Sequence, residues 1–173
     1  ALEPFRIRPV KGQAVLLHAP RDGSTTGLLR HVIRTPQVYL IPRNDGSLYV
    51  GATLEEMGHD TVPTAGPAMD LLRRAWETLP GVYESGWDEV TVGLRPATAD
   101  HLPLMGALED APGLFVSLGH YRNGILLAPA SARHMASAIL EGVEPPELAA
   151  FRPARMSRRS DGPAATRAAT EDR

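Results

Sequence analysis

The sequence of 173 residues has no cysteine, few aromatic residues and no long apolar run. Without cysteine, disulfides and thiolate metal ligands are excluded. The apolar runs are shorter than the roughly 20 residues that a membrane-spanning helix needs. The net charge is only −2, so bulk charge gives no reason to expect a nucleic acid partner. With 43% hydrophobic and 22% charged residues, the composition is that of a globular protein with a packed core.

Several catalytic patterns are missing as well. The six histidines form no HxH or HExxH pattern, so no metal site is predicted. There is no GxSxG motif for a hydrolase and no GxGxxG fingerprint for a dinucleotide. Residues 119–124 have the glycine spacing of a P-loop, but Ile125 and Leu126 stand where lysine and serine or threonine are required. The chain begins with Ala1, and we expect that processing removed residues or that an N-terminal part is missing.

The residue patterns that are present predict a mixed fold. Residues 13–18 form a short apolar run that is typical of a strand. Residues 36–42 and 47–53 are two further strand-like runs, and the Asp45-Gly46 pair between them predicts a hairpin, because glycine accepts the positive φ of a tight turn. Strands are also predicted at residues 89–94 and 113–118. Together these runs favour an antiparallel-rich α+β domain.

Two helices are predicted from apolar spacing. The first covers residues 64–79, with Thr64 as its cap and a stripe of Met69, Leu72, Ala75, Trp76 and Leu79. The second covers residues 130–141 and ends at Gly142, with these side chains expected to point inward: Ala132, Met135, Ala136, Ile139 and Leu140. From residue 151 onward apolar periodicity is lost, and we expect a disordered tail.

The segment GHYRNGILLAP, residues 119–129, gathers polar groups between a predicted strand and a helix. Backbone N–H groups at the start of a helix lack partners and stabilise an anion, including one that develops on a cofactor ring. Arg122 adds a cation to this turn. The alternative is a surface loop whose arginine is simply solvated.

Arg95 and Tyr39 are two further candidates. Arg95 directly follows the strand TVGL, and its guanidinium suits bidentate capture of a carboxylate; the alternative is a salt bridge at a sheet edge. Tyr39 and Ile41 are expected on the face opposite Val38 and Leu40, because side chains alternate along a strand. The Tyr39 hydroxyl could contact a ligand there, or the ring could simply pack.

Four segments in order resemble the C-terminal half of the flavin-dependent D-amino-acid oxidase superfamily, most closely its glycine oxidase branch: PVKGQAVLL, VYLIPRNDGSLYVGAT, GLRPATADHLPLMG and GHYRNGILLAP. The resemblance covers most of residues 9–140. It implies that residues 1–112 are an N-terminally truncated substrate-binding domain. It also implies that residues 113–150 are the last strand and helix of a Rossmann-like FAD-binding domain whose N-terminal part is missing, and that residues 151–173 are a tail.

The resemblance also implies roles for individual residues. Arg95 would clamp the substrate carboxylate, Tyr39 would hydrogen-bond to it, and Arg122 would lie beside flavin and substrate. No acid–base residue is expected. Gln37 departs from the family pattern, which has histidine there, and Leu54 matches a variable pocket wall, so the substrate stays open. The turn against the FAD ring would comprise His120, Tyr121, Arg122, Asn123, Gly124, Ile125 and Leu126.

The implied activity is oxidative deamination of glycine or another small amino acid. Hydride transfer to FAD would give an imine that hydrolyses to an oxo acid and ammonia, and oxygen would yield hydrogen peroxide. A cytoplasmic role in supplying thiamine thiazole synthesis is implied, although this chain alone is expected to be inactive. A sarcosine or D-amino-acid oxidase or dehydrogenase is the nearest alternative, and a non-catalytic carboxylate-binding module is the alternative of another class. A homo-oligomer is left open, and neither nucleic acid nor membrane is expected as a partner.

Overall fold

The computed structural model describes residues 6–18 and 27–157. The chain divides into two compact units, one of residues 8–95 and a second that consists mainly of the chain from residue 96 onward. Among the described residues, no helix is long and apolar enough to cross a membrane. Each unit has its own core, so each is described by itself.

The unit of residues 8–95 is built on a five-stranded sheet. Its strands are β1 (Arg8–His18), β2 (Ile33–Arg34), β3 (Tyr39–Pro42), β4 (Ser47–Gly51) and β5 (Gly86–Ala97). Residues 86–95 of β5 belong to this unit. Their order across the sheet is β2-β3-β4-β1-β5. The pairs β1–β4, β2–β3 and β3–β4 are antiparallel. The predicted α+β class with an antiparallel sheet is confirmed.

The predicted hairpin is β3–β4. Gly46 adopts a φ of +82°, the left-handed conformation for which glycine is suited. The Asp45 carboxylate accepts hydrogen bonds from the Ser47 backbone N–H at 3.0 Å and from its hydroxyl at 2.6 Å, which lowers the pKa of Asp45. The turn sequence therefore fixes the register in which Tyr39 pairs with Gly51.

Helix α1 (Ala65–Thr78) packs on β1 and β4, and Thr64 precedes it as predicted. The predicted stripe is partly wrong: Ala68, Leu71 and Ala75 are the buried residues, whereas Met69 and Trp76 are 68% and 49% exposed. The helix is rotated so that Ala68 and Ala75 face the sheet. The core beneath it is completed by Val15, Leu17, Val38, Leu40, Leu48, Val50 and Val82.

The unit from residue 96 onward contains the hairpin β6 (Leu104–Ala107) and β7 (Phe115–Leu118), helix α2 (Gly124–Ala136) and the short helix α3 (Ala154–Ser157). A π-helical turn, Ser137–Glu141, extends α2, and Gly142 ends it with a φ of +67°, as predicted. The core consists of Met105, Met135 and Leu148, with Phe115, Ala138 and Phe151 against it.

Helix α2 differs from its prediction in two ways. It begins at Gly124 rather than residue 130, because Pro129 is tolerated inside it, although proline removes one backbone hydrogen bond. Of the side chains predicted inward only Met135 is buried, while Ala132, Ala136, Ile139 and Leu140 are exposed. The helix therefore carries an apolar face that no described residue of its unit covers.

The segment from residue 151 departs from the tail prediction at its start. Phe151 packs on the core and ends a 3-10 helix, Pro146–Phe151, and Arg155 lies in α3. Residues 158–173 lie outside the described part of the chain. The chain passes from one compact unit to the other between residues 95 and 96, and the domain boundary at residue 112 stays a prediction.

Candidate functional site

Arg95 and Tyr39 lie over glycines on one face of the five-stranded sheet. A Cβ at Gly12 would stand 2.0 Å from Nη1 of Arg95, and a Cβ at Gly51 would stand 2.5 Å from the ring of Tyr39. Gly51 pairs with both Tyr39 and Ala14, and paired residues share a face. Gly12 is two residues from Ala14, so both glycines belong to this face. We call these two glycines the glycine cradle.

The cradle face is opposite the face that α1 covers. Val38 and Leu40 are buried in the α1-side core, so the predicted alternation at Tyr39 is confirmed. Tyr49 lies on the cradle face, where its hydroxyl is 3.0 Å from the Thr91 hydroxyl. This face therefore carries polar side chains beside Leu16 and Ile41, whereas the face under α1 is aliphatic.

The guanidinium of Arg95 is positioned by backbone carbonyls. Nη1 donates to the carbonyl oxygen of Thr53 at 3.1 Å and to that of Lys11 at 3.5 Å. Among the described residues no carboxylate forms an ion pair with Arg95, so the predicted alternative of an edge salt bridge is not what the structure has. Arg95 is half-buried, and its partners among the described residues are backbone carbonyls. Its guanidinium is therefore able to bind the anionic group of a ligand.

Buried polar residues of β1 hold the segment that supplies Arg95 with one of these carbonyls. The Gln13 amide donates to the Glu55 carboxylate at 3.0 and 3.1 Å and to the Thr64 hydroxyl at 2.8 Å, and its oxygen accepts from the Thr64 N–H at 2.8 Å. The Gln13 N–H donates to the Thr53 hydroxyl at 2.7 Å. Because Gln13 is fully buried, this network fixes residues 53–64 against β1.

Lys11 makes a second such anchor. Its fully buried ammonium donates to the Asp60 carboxylate at 2.7 Å and to the Val62 carbonyl oxygen. The same ammonium lowers the pKa of Asp60. Leu54 and Gln37, which the resemblance connects with substrate choice, are both exposed.

The predicted turn of residues 119–124 belongs to the other unit. Gly119 has a φ of +74°, and a Cβ there would lie 2.5 Å from the buried Thr98 methyl group. The Tyr121 N–H donates to the Pro96 carbonyl oxygen at 3.1 Å, and the His120 ring Nε2 is 3.0 Å from the Ser131 hydroxyl. A backbone hydrogen bond to Pro96 and a side-chain hydrogen bond to Ser131 therefore hold this turn in place.

Helix α2 starts immediately after this turn with a bare N-terminus. Asn123 is its cap residue, yet the Asn123 side chain makes no capping hydrogen bond. The first intrahelical bond is from Leu127 N–H to the Asn123 carbonyl oxygen at 2.8 Å, so the N–H groups of the three preceding residues have no intrahelical acceptor. Ile125 and Leu126 are 95% and 79% exposed, and Arg122 is exposed beside them.

Sequence reasoning missed a strained pair of residues in this unit. His101 and Tyr121 have φ values of +61° and +51°, which few residues other than glycine adopt, and their rings stack with centroids 4.7 Å apart. Tyrosine does not signal a left-handed backbone, and the enrichment of histidine there is too small to predict it. Backbone strain of this kind persists only where the surroundings fix it.

Asp100 and Arg155 fix the segment that carries His101. Arg155 donates to both oxygens of Asp100, at 3.1 and 3.2 Å, and to the Leu102 carbonyl oxygen at 2.8 Å. This bidentate pair lowers the pKa of Asp100 from its ordinary 3.8 to about 2. The buried Thr98 hydroxyl adds a hydrogen bond to the same carbonyl at 2.8 Å.

Replacing Asp100 with Asn is expected to lower the free energy of unfolding at pH 7 by about 2 kcal/mol. The folded pKa lies below the unfolded one, so this stabilisation is present above about pH 4 and is lost as the pH falls toward 2. Denaturant unfolding of both proteins at pH 7 and pH 2.5 measures the difference. Asp110→Asn, at an exposed position, is the matched control. If Asp100→Asn lowered the free energy of unfolding equally at both pH values, the stabilisation would not come from the ionised Asp100 carboxylate.

A guanidinium over a glycine cradle and a bare helix end beside an arginine are features expected of a protein that binds small anionic ligands. Residues 1–138 match the family model described as FAD dependent oxidoreductase, and the chain belongs to that family.

Named relatives agree with this family. The chain is 37% identical to a bifunctional protein ThiO/ThiG of Synechocystis sp. over 90% of its length and 24% of the relative's. It is 37% identical to the glycine oxidase of Pseudomonas putida over 80% of its length and 36% of the relative's. It superimposes on the crystal structure of glycine oxidase from Geobacillus kaustophilus with a TM-score of 0.76 and 35% identity, over 86% of this chain and 39% of that one. The chain thus spans about a quarter to two fifths of these proteins.

Proposed function

We propose that the chain is the substrate-binding part of an FAD-dependent amine oxidase, and that its substrate is glycine or another small amino acid. The observation that carries the proposal is the cradle: Arg95 and Tyr39 lie over glycines on one sheet face, and no described carboxylate pairs with the guanidinium. The activity is proposed for the whole protein, because this chain matches only 24% and 36% of the length of two relatives.

Arg95 binds the substrate carboxylate in this proposal. Its Nη1 donates to backbone carbonyls, which leaves the outer donors of the guanidinium fork for two carboxylate oxygens. Tyr39 is placed on the same face to hydrogen-bond to this carboxylate. The two side chains orient the α-carbon and its amine, and no proton is moved by either of them.

The turn before α2 is proposed to hold the flavin. FAD, when bound, would supply the hydride acceptor of the reaction. The N–H groups of Gly124, Ile125 and Leu126, which have no intrahelical acceptor, and the Arg122 cation would stabilise negative charge on it. Pre-placed donors of this kind lower the barrier without changing their own protonation.

The apolar face of α2 supports the proposed division of the chain. Ile139 and Leu140 are 50% and 81% exposed, and contiguous apolar patches of this kind are usually covered by another part of a protein. We assign residues 113–150 to the FAD-binding domain, so that this face packs on the part of that domain that this chain does not contain. Residues 8–95, the first compact unit, then belong to the substrate domain.

The proposal that glycine is the substrate rests on the relatives and not on the cradle. The names glycine oxidase and ThiO/ThiG among them support glycine and a connection with thiamine thiazole synthesis. Arg95 and Tyr39 recognise only a carboxylate, which sarcosine and D-alanine share.

Expression of the whole gene is expected to give a yellow protein that releases hydrogen peroxide with glycine. Flavin absorbance near 450 nm tests cofactor binding, and a peroxidase-coupled assay with glycine, sarcosine and D-alanine ranks the substrates. A colourless protein that still binds glycine would instead support a carboxylate-binding module. Flavin without peroxide, with electrons passed to an artificial acceptor, would indicate a dehydrogenase.

A further inference from the structure

A groove lies on the α1 side of the first unit's sheet, opposite the cradle face. The end of α1, the 3-10 helix Pro80–Glu84 and the start of β5 enclose it, and its volume is about 310 Å³. Its floor is formed by Leu17, Leu72 and Val82, which belong to the α1-side core or pack against it. The volume suits a single ring with a short substituent. Nothing in the proposed oxidase reaction uses this groove.

Three aromatic side chains form the walls of the groove: Trp76, Tyr83 and Trp87. They are 49%, 77% and 52% exposed, which is unusual for residues of this size. Trp76 and Tyr83 have ring centroids 6.4 Å apart at an angle of 51°, a tilted arrangement that is not a closed stack. Because the face of an aromatic ring carries negative potential, such walls attract a cation.

The charges around the groove favour a cation as well. Arg73 is the charged residue in its lining, but its guanidinium is bound to Glu77 at 2.8 Å and lies 3.9 Å from Asp70. Residues 70–89, which contain α1's second half and both tryptophans, carry five carboxylates and two arginines, a formal charge of −3. Arg73 is the only charged side chain among the described lining residues, and it is already paired with Glu77, so the lining offers an anion no unpaired cation.

Ser85 supplies a hydrogen-bonding group without a partner. Ser85 lines the groove, and its hydroxyl oxygen is buried and makes no hydrogen bond to any described residue. Turning this hydroxyl toward the groove breaks no existing bond. A ligand with an N–H donor would satisfy it, whereas a purely apolar ligand would leave it unpaired at a cost.

We propose that the groove binds a primary organic ammonium ion carried on an apolar, ring-sized group. The apolar group fills the floor, the ammonium lies against the faces of the three aromatic rings, and its N–H donates to Ser85. This site is separate from the Arg95 face and requires no flavin.

Tryptophan fluorescence tests the proposal, because both tryptophans of this chain line the groove. Titration of the whole protein with benzylammonium is expected to change the emission saturably. Benzyl alcohol, of nearly the same shape but neutral, is expected to bind at least about fivefold more weakly, the range of a partly desolvated cation–π contact. Benzoate is expected to give no saturable change.

Variants assign the signal to the groove. Tyr83→Ala and Ser85→Ala keep both tryptophans, and each is expected to weaken benzylammonium binding about fivefold or more. Met69→Ala, an exposed α1 position outside the lining, is the matched control and is expected to bind like the parent. Because Tyr83 is mostly exposed and Ser85 loses one atom, both variants are expected to fold, which circular dichroism checks. Equal binding of benzyl alcohol, preference for benzoate, or no saturable change in the parent would each overturn the proposal.

Discussion

Replacing Arg95 with Ala is expected to raise the KM for glycine roughly 100-fold or more in the whole protein, with a smaller change in kcat. Removing one partner of a buried charge pair costs on the order of 3–5 kcal/mol, and the carboxylate would lose its cation both in the ground state and in the transition state. The change is read from initial rates of peroxide release over a range of glycine concentrations. Flavin absorbance of the variant shows whether the cofactor is retained.

Two further variants make the Arg95 result specific. Arg95→Lys keeps the charge but loses the planar fork, so an intermediate rise in KM is expected. Arg43→Ala removes an exposed guanidinium from the β3–β4 turn of the same unit and is expected to leave KM unchanged. An unchanged KM in Arg95→Ala, with flavin present, would remove Arg95 from the substrate site while leaving the oxidase class intact.

Local chemistry explains which parts of the fold could be predicted from sequence. The β3–β4 hairpin follows from Asp45 and Gly46, whose side-chain bond and positive φ are local properties. The facing of α1 could not be predicted, because it depends on how the helix packs on β1 and β4, which buries Ala68 and Ala75 rather than Met69 and Trp76. The start of α2 was misplaced because Pro129 is normally a helix breaker and is tolerated here.

The candidate site shows the same division. Arg95 could be singled out because it is a charged residue directly after the strand run TVGL, and Tyr39 because alternation puts its hydroxyl on the face away from the core. The carbonyl of Thr53 that holds Arg95 carries no sequence signal, since any residue has one. Gly12 did carry a signal: a glycine inside a strand often marks a place where another group approaches the backbone closely. The reason for a glycine at position 12 is its contact with Arg95, which lies more than 80 residues away in the chain. No local pattern reveals that contact.

Gly12→Ala is expected to reproduce most of the Arg95→Ala effect, with a KM for glycine raised on the order of 100-fold. The new methyl carbon would stand 2.0 Å from Nη1 and 2.4 Å from Cζ of Arg95, so it occupies the place of the guanidinium. The atoms it meets are the far end of a flexible side chain, which moves away more easily than a packed core does. The variant is therefore expected to unfold at nearly the parent's denaturant concentration and to keep its flavin, while the carboxylate loses its partner.

Gly66→Ala provides the matched control for Gly12→Ala. It adds the same methyl group at the exposed start of α1, on the side of the sheet opposite the cradle face, where a Cβ meets no atom within 4 Å, so its KM is expected to equal the parent's. Combining Gly12→Ala with Arg95→Ala separates the two causes: if the methyl acts only by displacing the guanidinium, the double variant has the KM of Arg95→Ala alone. Additive effects would mean that Gly12 approaches the substrate itself, and a parent-like KM in Gly12→Ala would show that Arg95 binds the carboxylate from another position.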